Sequence, residues 1–114
     1  MNVLFRGIGA SKGRASGPLV FSGESARPGS ILVRIETSHE DAAAIRIASA
    51  VVTTRGGITS DAAIIARTLG KPCVVSCPTV RIDYAARTMT VDGHVLREGD
   101  LIEIDGTTGE VGWP

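Results

Sequence analysis

The chain has no excess of charge of either sign. Its 114 residues carry 12 Lys and Arg against 12 Asp and Glu, a formal balance of zero. Nucleic acid or an anionic membrane as main partner demands a basic face, and the balance argues against both. No apolar run approaches the roughly 20 residues that cross a bilayer. No secretory leader is expected either, because Arg6 and the glycines from Gly7 onward interrupt a short apolar start. Cytoplasmic residence is the resulting expectation. Cysteine is scarce, with only Cys73 and Cys77 in Pro72-Cys-Val-Val-Ser-Cys. On a strand these two share one face and lie roughly 13 Å apart, at about 3.3 Å per residue. That exceeds the Cα separation of about 7 Å beyond which a disulfide cannot close. A C-x-x-x-C pair without nearby histidine is also a poor zinc signal. Two small buried thiols are expected, with no cofactor. No metal site is expected either, since Asp41, Asp61 and Asp83 fall on separate predicted elements.

What the chain does have is glycine. Fourteen of them punctuate short β-rich runs, the pattern of a compact, turn-rich domain. Residues 1–114 suffice for one core but not two. There is no internal repeat or low-complexity linker. Val3 to Ile8 reads as a strand, Gly9 to Gly13 as a turn, and Arg14 to Phe21 as a second strand. Ile31 to Ile35 is a β-branched third strand. Thr37 and Glu40 stand at capping-box spacing before a helix over Ala42 to Ala48. Ala50 to Thr53 has the apolar continuity of a strand buried on both faces. A second helix is predicted from near Thr59, with Ala62, Ile65, Ala66 and Leu69 at helical spacing; Gly70 and Pro72 stop it. Cys73 to Ser76 returns as a strand. The last third alternates like an antiparallel meander over Thr88–Val91, Val95–Leu96 and Leu101–Ile104, with Asp92-Gly93 as a tight hairpin turn. The fold class is mixed α/β, with two helices covering one face of the β structure.

Between the fifth run and the second helix lies Thr53-Thr54-Arg55-Gly56-Gly57-Ile58-Thr59-Ser60-Asp61. A glycine turn at a helix start offers free N–H groups and a partial positive charge to an anion. Arg55 adds a bidentate phosphate donor. Thr59 is the expected N-cap. Read only from the residues, the same stretch is more simply a tight βα turn before a capped helix.

Arg55 to Arg67 resembles the phosphoryl-carrier segment of the phosphoenolpyruvate (PEP)-utilising enzymes, the pyruvate phosphate dikinases above all. Further segments match in order: Gly7 to Gly17, Val33 to Asp41, Gly70 to Val75, Val80 to Tyr84 and Glu98 to Val111. One departure from the opening signature is Lys12, where that pattern usually has proline. The resemblance implies a three-layer β/β/α swivelling domain with mixed short strands. In the full enzymes this domain travels between an ATP-binding domain and a PEP-binding barrel, which are the partners it implies. It also implies a histidine where Asp61 stands, carrying the phosphoryl group. A carboxylate there can form only a labile acyl phosphate, reaches less far, and repels an incoming phosphoryl group. The expectation is therefore a stand-alone swivelling domain acting as a docking or regulatory subunit, with Arg55, Gly56, Gly57, Thr59 and Ser60 as its phosphate loop. Asp61 then serves as a helix-start residue or as a fixed negative charge resembling the phosphorylated state. The alternative is a phosphoryl-carrier subunit using Asp61 with partners in trans. By the same resemblance Thr59 matches a position that a regulatory protein phosphorylates in some dikinases. His39 and His94 are expected at the surface.

Overall fold

In chain order, the computed structural model contains β1 (Asn2–Arg6), β2 (Ile8–Ser11), β3 (Arg14–Val20) and β4 (Ile31–Arg34), then a 3-10 turn (His39–Asp41) and α1 (Ala42–Ile47). β5 (Ala50–Thr53), α2 (Asp61–Leu69) and β6 (Cys73–Val75) follow. β7 (Arg81–Asp83), β8 (Thr88–Val91), β9 (His94–Arg97), β10 (Leu101–Asp105) and β11 (Glu110–Trp113) complete the chain. All 114 residues are described.

A single glycine sets the shape of the large sheet. β1 and β2 are separated by Gly7 alone, yet they form opposite edges of an eight-stranded order, β1-β11-β10-β3-β4-β5-β6-β2. The sheet must therefore curl until those edges meet. A Cβ on Gly7 would lie 2.5 Å from the Val75 carbonyl and 2.6 Å from Cys77 Sγ, so no side chain fits at the crossing. The expected single strand over Val3 to Ile8 is thus broken in two, and the expected Gly9–Gly13 turn is mostly strand. Gly9 imitates a turn residue because the loop after β10 passes so close: a Cβ there would meet the Gly106 carbonyl at 2.4 Å.

β3, β4, β5 and β6 run parallel, with Ile31 opposite Ala50 and Arg34 opposite Thr53. Alternation along them feeds two cores. Ile31, Val33, Ala50, Val52 and Val74 join Phe5, Met89 and Ile104 on the helix-free side. Leu32, Val51, Cys73 and Val75 join Ala44, Ile45, Ala62, Ala63 and Ala66 under the helices. Both helices pack on one face, as expected, and β7, β8 and β9 form the outer layer opposite them. The result is the β/β/α layering.

The last third departs from a simple meander. Asp92 and Gly93 do form the two-residue hairpin, with φ of 48° and 79°, the positive values that a type I′ turn requires. β10 does not continue beside β9, however. It pairs with β3 and β11 in the large sheet, and β7 takes the third place beside β8. Alternation alone cannot say which sheet receives a strand, so β7 and β11 also escaped the sequence reading. The first cap is shifted by one residue: the Ser38 N–H donates to Asp41 Oδ2 at 3.0 Å, in place of a Thr37–Glu40 pair.

The cysteines are free and buried, but not on one face. Ser76 turns left-handed at φ 55°, which resets the alternation. Cys73 faces the helices and Cys77 the opposite core. Burial pushes both thiols up to about 12, an effect that the charge of Arg67 partly offsets at Cys73. No helix is long and apolar enough to cross a membrane.

Candidate functional site

The loop following β5 is held by hydrogen bonds that continue the sheet beyond its strands. The Thr54 N–H donates to the Arg34 carbonyl at 3.1 Å, and the Arg55 N–H to the Ile35 carbonyl at 2.9 Å. Buried Thr53 Oγ1 donates to the Arg55 carbonyl at 2.9 Å. Gly56 then turns the chain at φ 91°, where a Cβ would come within 2.9 Å of Ser60 Cβ. The Ser60 N–H closes a turn on the Gly57 carbonyl at 3.0 Å. From the far end of α2, Arg67 reaches back and donates to both the Ile58 and the Ala10 carbonyls. The loop is thereby pinned to β4, to β2 and to its own helix.

Helix α2 begins later than predicted. Ser60, not Thr59, is the N-cap, with its Oγ accepting from the Ala63 N–H at 3.4 Å, and Asp61 is the first helical residue. Ser60 takes the role because its backbone is extended there, while Thr59 lies inside the preceding turn. The glycine pair therefore sits one turn upstream of the helix rather than at its start. The C-terminus follows the sequence reading: Gly70 is left-handed at φ 68°, and the Lys71 N–H donates to the Ala66 carbonyl at 2.9 Å.

Asp61 lines a cleft of about 300 Å³ between the loops that leave β4 and β5. Arg55, Gly56, Thr59 and Ser60 line it as well, whereas Gly57 does not. Four lining residues lay outside the expected site: Thr53 and Ala62, which flank it in the chain, and Glu36 and Thr37, from the loop after β4. The pairing of β4 with β5 places Glu36 and Thr37 there, since Arg34 opposite Thr53 brings the following residues together. The Asp61 carboxylate takes part in no hydrogen bond or salt bridge, and the N–H groups of Asp61 and Ala62 have no partner within the protein. Arg55 is exposed and its guanidinium is unpaired. Thr37 Oγ1 is buried in this wall without a hydrogen-bond partner. The lining of this cleft thus contains one arginine, Arg55, and two acidic residues, Glu36 and Asp61.

His39 and His94 are exposed, and His94 stacks edge-on against Trp113 at 5.2 Å. No group of three or more His, Cys, Asp or Glu side chains is placed to hold a metal ion.

A β/β/α fold with a glycine loop at the carboxyl ends of parallel strands defines the class, such ends being where open α/β sheets bind ligands. The family model described as "PEP-utilising enzyme, mobile domain" matches residues 26–109, and the chain belongs to that family. It is 44% identical over 96% of its length to pyruvate, phosphate dikinase 1, chloroplastic, of Zea mays, of which it spans 12%. Against pyruvate, phosphate dikinase of Rhizobium meliloti (strain 1021) the identity is 41%, with 96% of this chain and 13% of that one covered. The chain thus corresponds to a domain of the pyruvate phosphate dikinase type, about an eighth of those proteins' length. Among solved structures, Thermococcus kodakaraensis aconitase X (holo-form) superposes with a TM-score of 0.61 at 16% identity, covering 95% of each chain. A UPF0107 protein superposes with a TM-score of 0.60 at 16% identity, over 96% of this chain and 98% of that one. At that identity the likeness is one of fold alone.

Proposed function

We propose that this domain is a non-catalytic docking or regulatory module of a dikinase-like phosphotransferase system, whose Asp61 occupies the carrier position without carrying phosphate. One observation supports this reading above the others: Asp61 shares its cleft with a second carboxylate, Glu36, and only one cation, Arg55. Phosphoryl transfer depends on positioning and on compensating the charge of the transferred group. A nucleophilic carboxylate beside another carboxylate meets neither need. The unpartnered N–H groups at the start of α2 and the charge of Asp61 instead suit recognition by partner domains that bind ATP and PEP. Arg55, Gly56, Thr59 and Ser60 shape that face, and Thr59, exposed beside the N-cap, is a candidate for regulatory modification there.

The test is label transfer from phosphoenolpyruvate and from ATP, with dikinase fragments supplying the ATP-binding and PEP-binding domains. Label on an Asp61→His chain but not on the native one is the expected outcome. Hydroxylamine-sensitive label on the native chain, absent from Asp61→Ala, would mean an acyl phosphate on Asp61 and a working carrier in trans.

A further inference from the structure

The chain contains two Asp-Gly pairs, Asp92-Gly93 and Asp105-Gly106, and the fold treats them in opposite ways. In sequence they are near equivalents, each following a β-branched residue, Val91 or Ile104. An aspartate before glycine is open to attack on its carboxyl by the glycine nitrogen, because no side chain on the glycine hinders the approach. The attack needs a free N–H, a carboxyl able to take up a proton, and a peptide free to swing until its nitrogen reaches Cγ.

At Asp105-Gly106 all three are withheld. The Gly106 N–H donates to the Gly13 carbonyl at 2.7 Å. Asp105 Oδ1 accepts from the Thr107 N–H at 2.8 Å and from the Thr108 N–H at 3.2 Å, and these bonds hold its carboxyl below the usual carboxylate range. A Cβ on Gly106 would collide with the Ser11 carbonyl and lie 2.8 Å from the Cys73 nitrogen, so the peptide is clamped between β2 and β6. At Asp92-Gly93 none is withheld. Both residues are exposed at the tip of the hairpin that joins β8 to β9. The Gly93 N–H has no acceptor, and the Asp92 carboxylate takes part in no hydrogen bond or salt bridge. Beyond its chain neighbours, no atom lies within 4 Å of a Cβ built on Gly93.

We infer that Asp92 is a site of spontaneous isoaspartate formation in the folded protein and that the fold shields Asp105 from the same reaction. The Gly93 nitrogen forms a bond to Asp92 Cγ as the Cγ–OH bond breaks. The hydroxyl and the amide proton leave as water, giving a cyclic imide. Water then adds to either imide carbonyl, which restores aspartate or leaves isoaspartate, with nothing oxidised or reduced. The isoaspartyl linkage adds one methylene to the main chain of a two-residue turn. Turn geometry fixes hairpin register, so the pairing of Val91 with His94 is lost, and with it the edge-on contact of His94 with Trp113. Asp61 has no part in this chemistry, and the label-transfer result leaves the inference standing.

The test ages the native chain in buffer and in urea. Isoaspartate is then counted at each position by peptide mapping with electron-transfer fragmentation, and by an isoaspartyl methyltransferase with labelled S-adenosylmethionine. In buffer, the product at Asp92 is expected to exceed that at Asp105 by about tenfold or more, since Asp105-Gly106 must first break three hydrogen bonds. In urea the two rates are expected to converge. The emission of Trp113, the single tryptophan, should drift in step with the Asp92 product. Asp92→Asn, which also suits a left-handed turn position and releases ammonia in place of water, is expected to form the product faster. Asp92→Glu, whose longer side chain closes a less favourable ring, should remove both the product and the drift. Comparable isoaspartate at the two positions in buffer, none at Asp92 in buffer while urea yields it at both, or the same excess at Asp92 in urea would overturn the assignment.

Discussion

The two sides of the parallel sheet are packed by different means. On the helix-free side the core is built from large side chains, with Phe5, Leu19, Ile31, Met89 and Ile104 among them. Beneath the helices it is dominated by alanine: Ala44, Ala48, Ala62, Ala63 and Ala66 meet Leu32, Val51 and Val75. Small residues let a helix sit close to its sheet, and α2 carries the functional loop at its N-terminus. The site is therefore mounted on the shallow, tightly seated side, while most of the apolar volume that stabilises the domain lies on the other. Binding chemistry and bulk stability are largely separated by one sheet.

That separation can be broken from either side. Ile104→Ala, at a fully buried position of the deep core, is expected to cost about 2–5 kcal/mol in denaturant unfolding, because it leaves a cavity. The cleft around Asp61 should keep its amide shifts in that variant. Alkaline titration probes both sides at once, since one buried thiol lies in each core. Each thiol stays protonated in the fold up to about 12 but ionises near 9.0 when unfolded. The unfolded chain thus holds fewer protons above pH 9, and stability falls as pH rises from there toward 12. The slope is about 1.4 kcal/mol per pH unit for each thiol. Melting curves from pH 8 to 10.5 should show the decline, and Cys73→Ala or Cys77→Ala should each remove part of it. A pH-independent melting temperature across that range would mean that the thiols are not held protonated.

Ala63→Leu overfills the shallow side, where Ala63 is completely buried, and is expected to cost about 1–3 kcal/mol. Unlike Ile104→Ala, it should also displace the Arg55–Ser60 loop, visible as amide shifts throughout that segment. Ser60→Ala is the mildest probe. Loss of the N-cap is expected to cost about 1 kcal/mol and to speed amide exchange in the first turn of α2 while leaving the deep core protected. If exchange rose equally in β10, the two sides would not be separable and the comparison would fail.

Local chemistry was legible wherever the deciding residues are neighbours in the chain. The apolar continuity of Ala50–Thr53, the Gly70 stop and the Asp92-Gly93 turn all read correctly. The caps were each misplaced by one residue, because Thr37-Ser38 and Thr59-Ser60 offer two adjacent hydroxyls and only backbone geometry selects between them. The cysteine faces were misread because alternation was carried through Ser76, whose left-handed φ nothing in its side chain announces.

The order of most strands and of both helices, the loop with its glycine pair, and an aspartate at the head of α2 were written in the linear chain, since hydrophobic period, turn residues and caps act over a few positions. Which groups meet that aspartate was not. Glu36 and Thr37 reach it only because β4 lies beside β5 in parallel register. Arg81 and Arg55 come to line one further cleft, between the loop after β5 and the start of β7, only because the chain turns at Ser76 and pairs β7 with β8. The closure of the sheet likewise rests on a contact between Gly7 and Val75. Long-range pairing has no local signature, so the tertiary structure alone decided the electrostatics of both clefts.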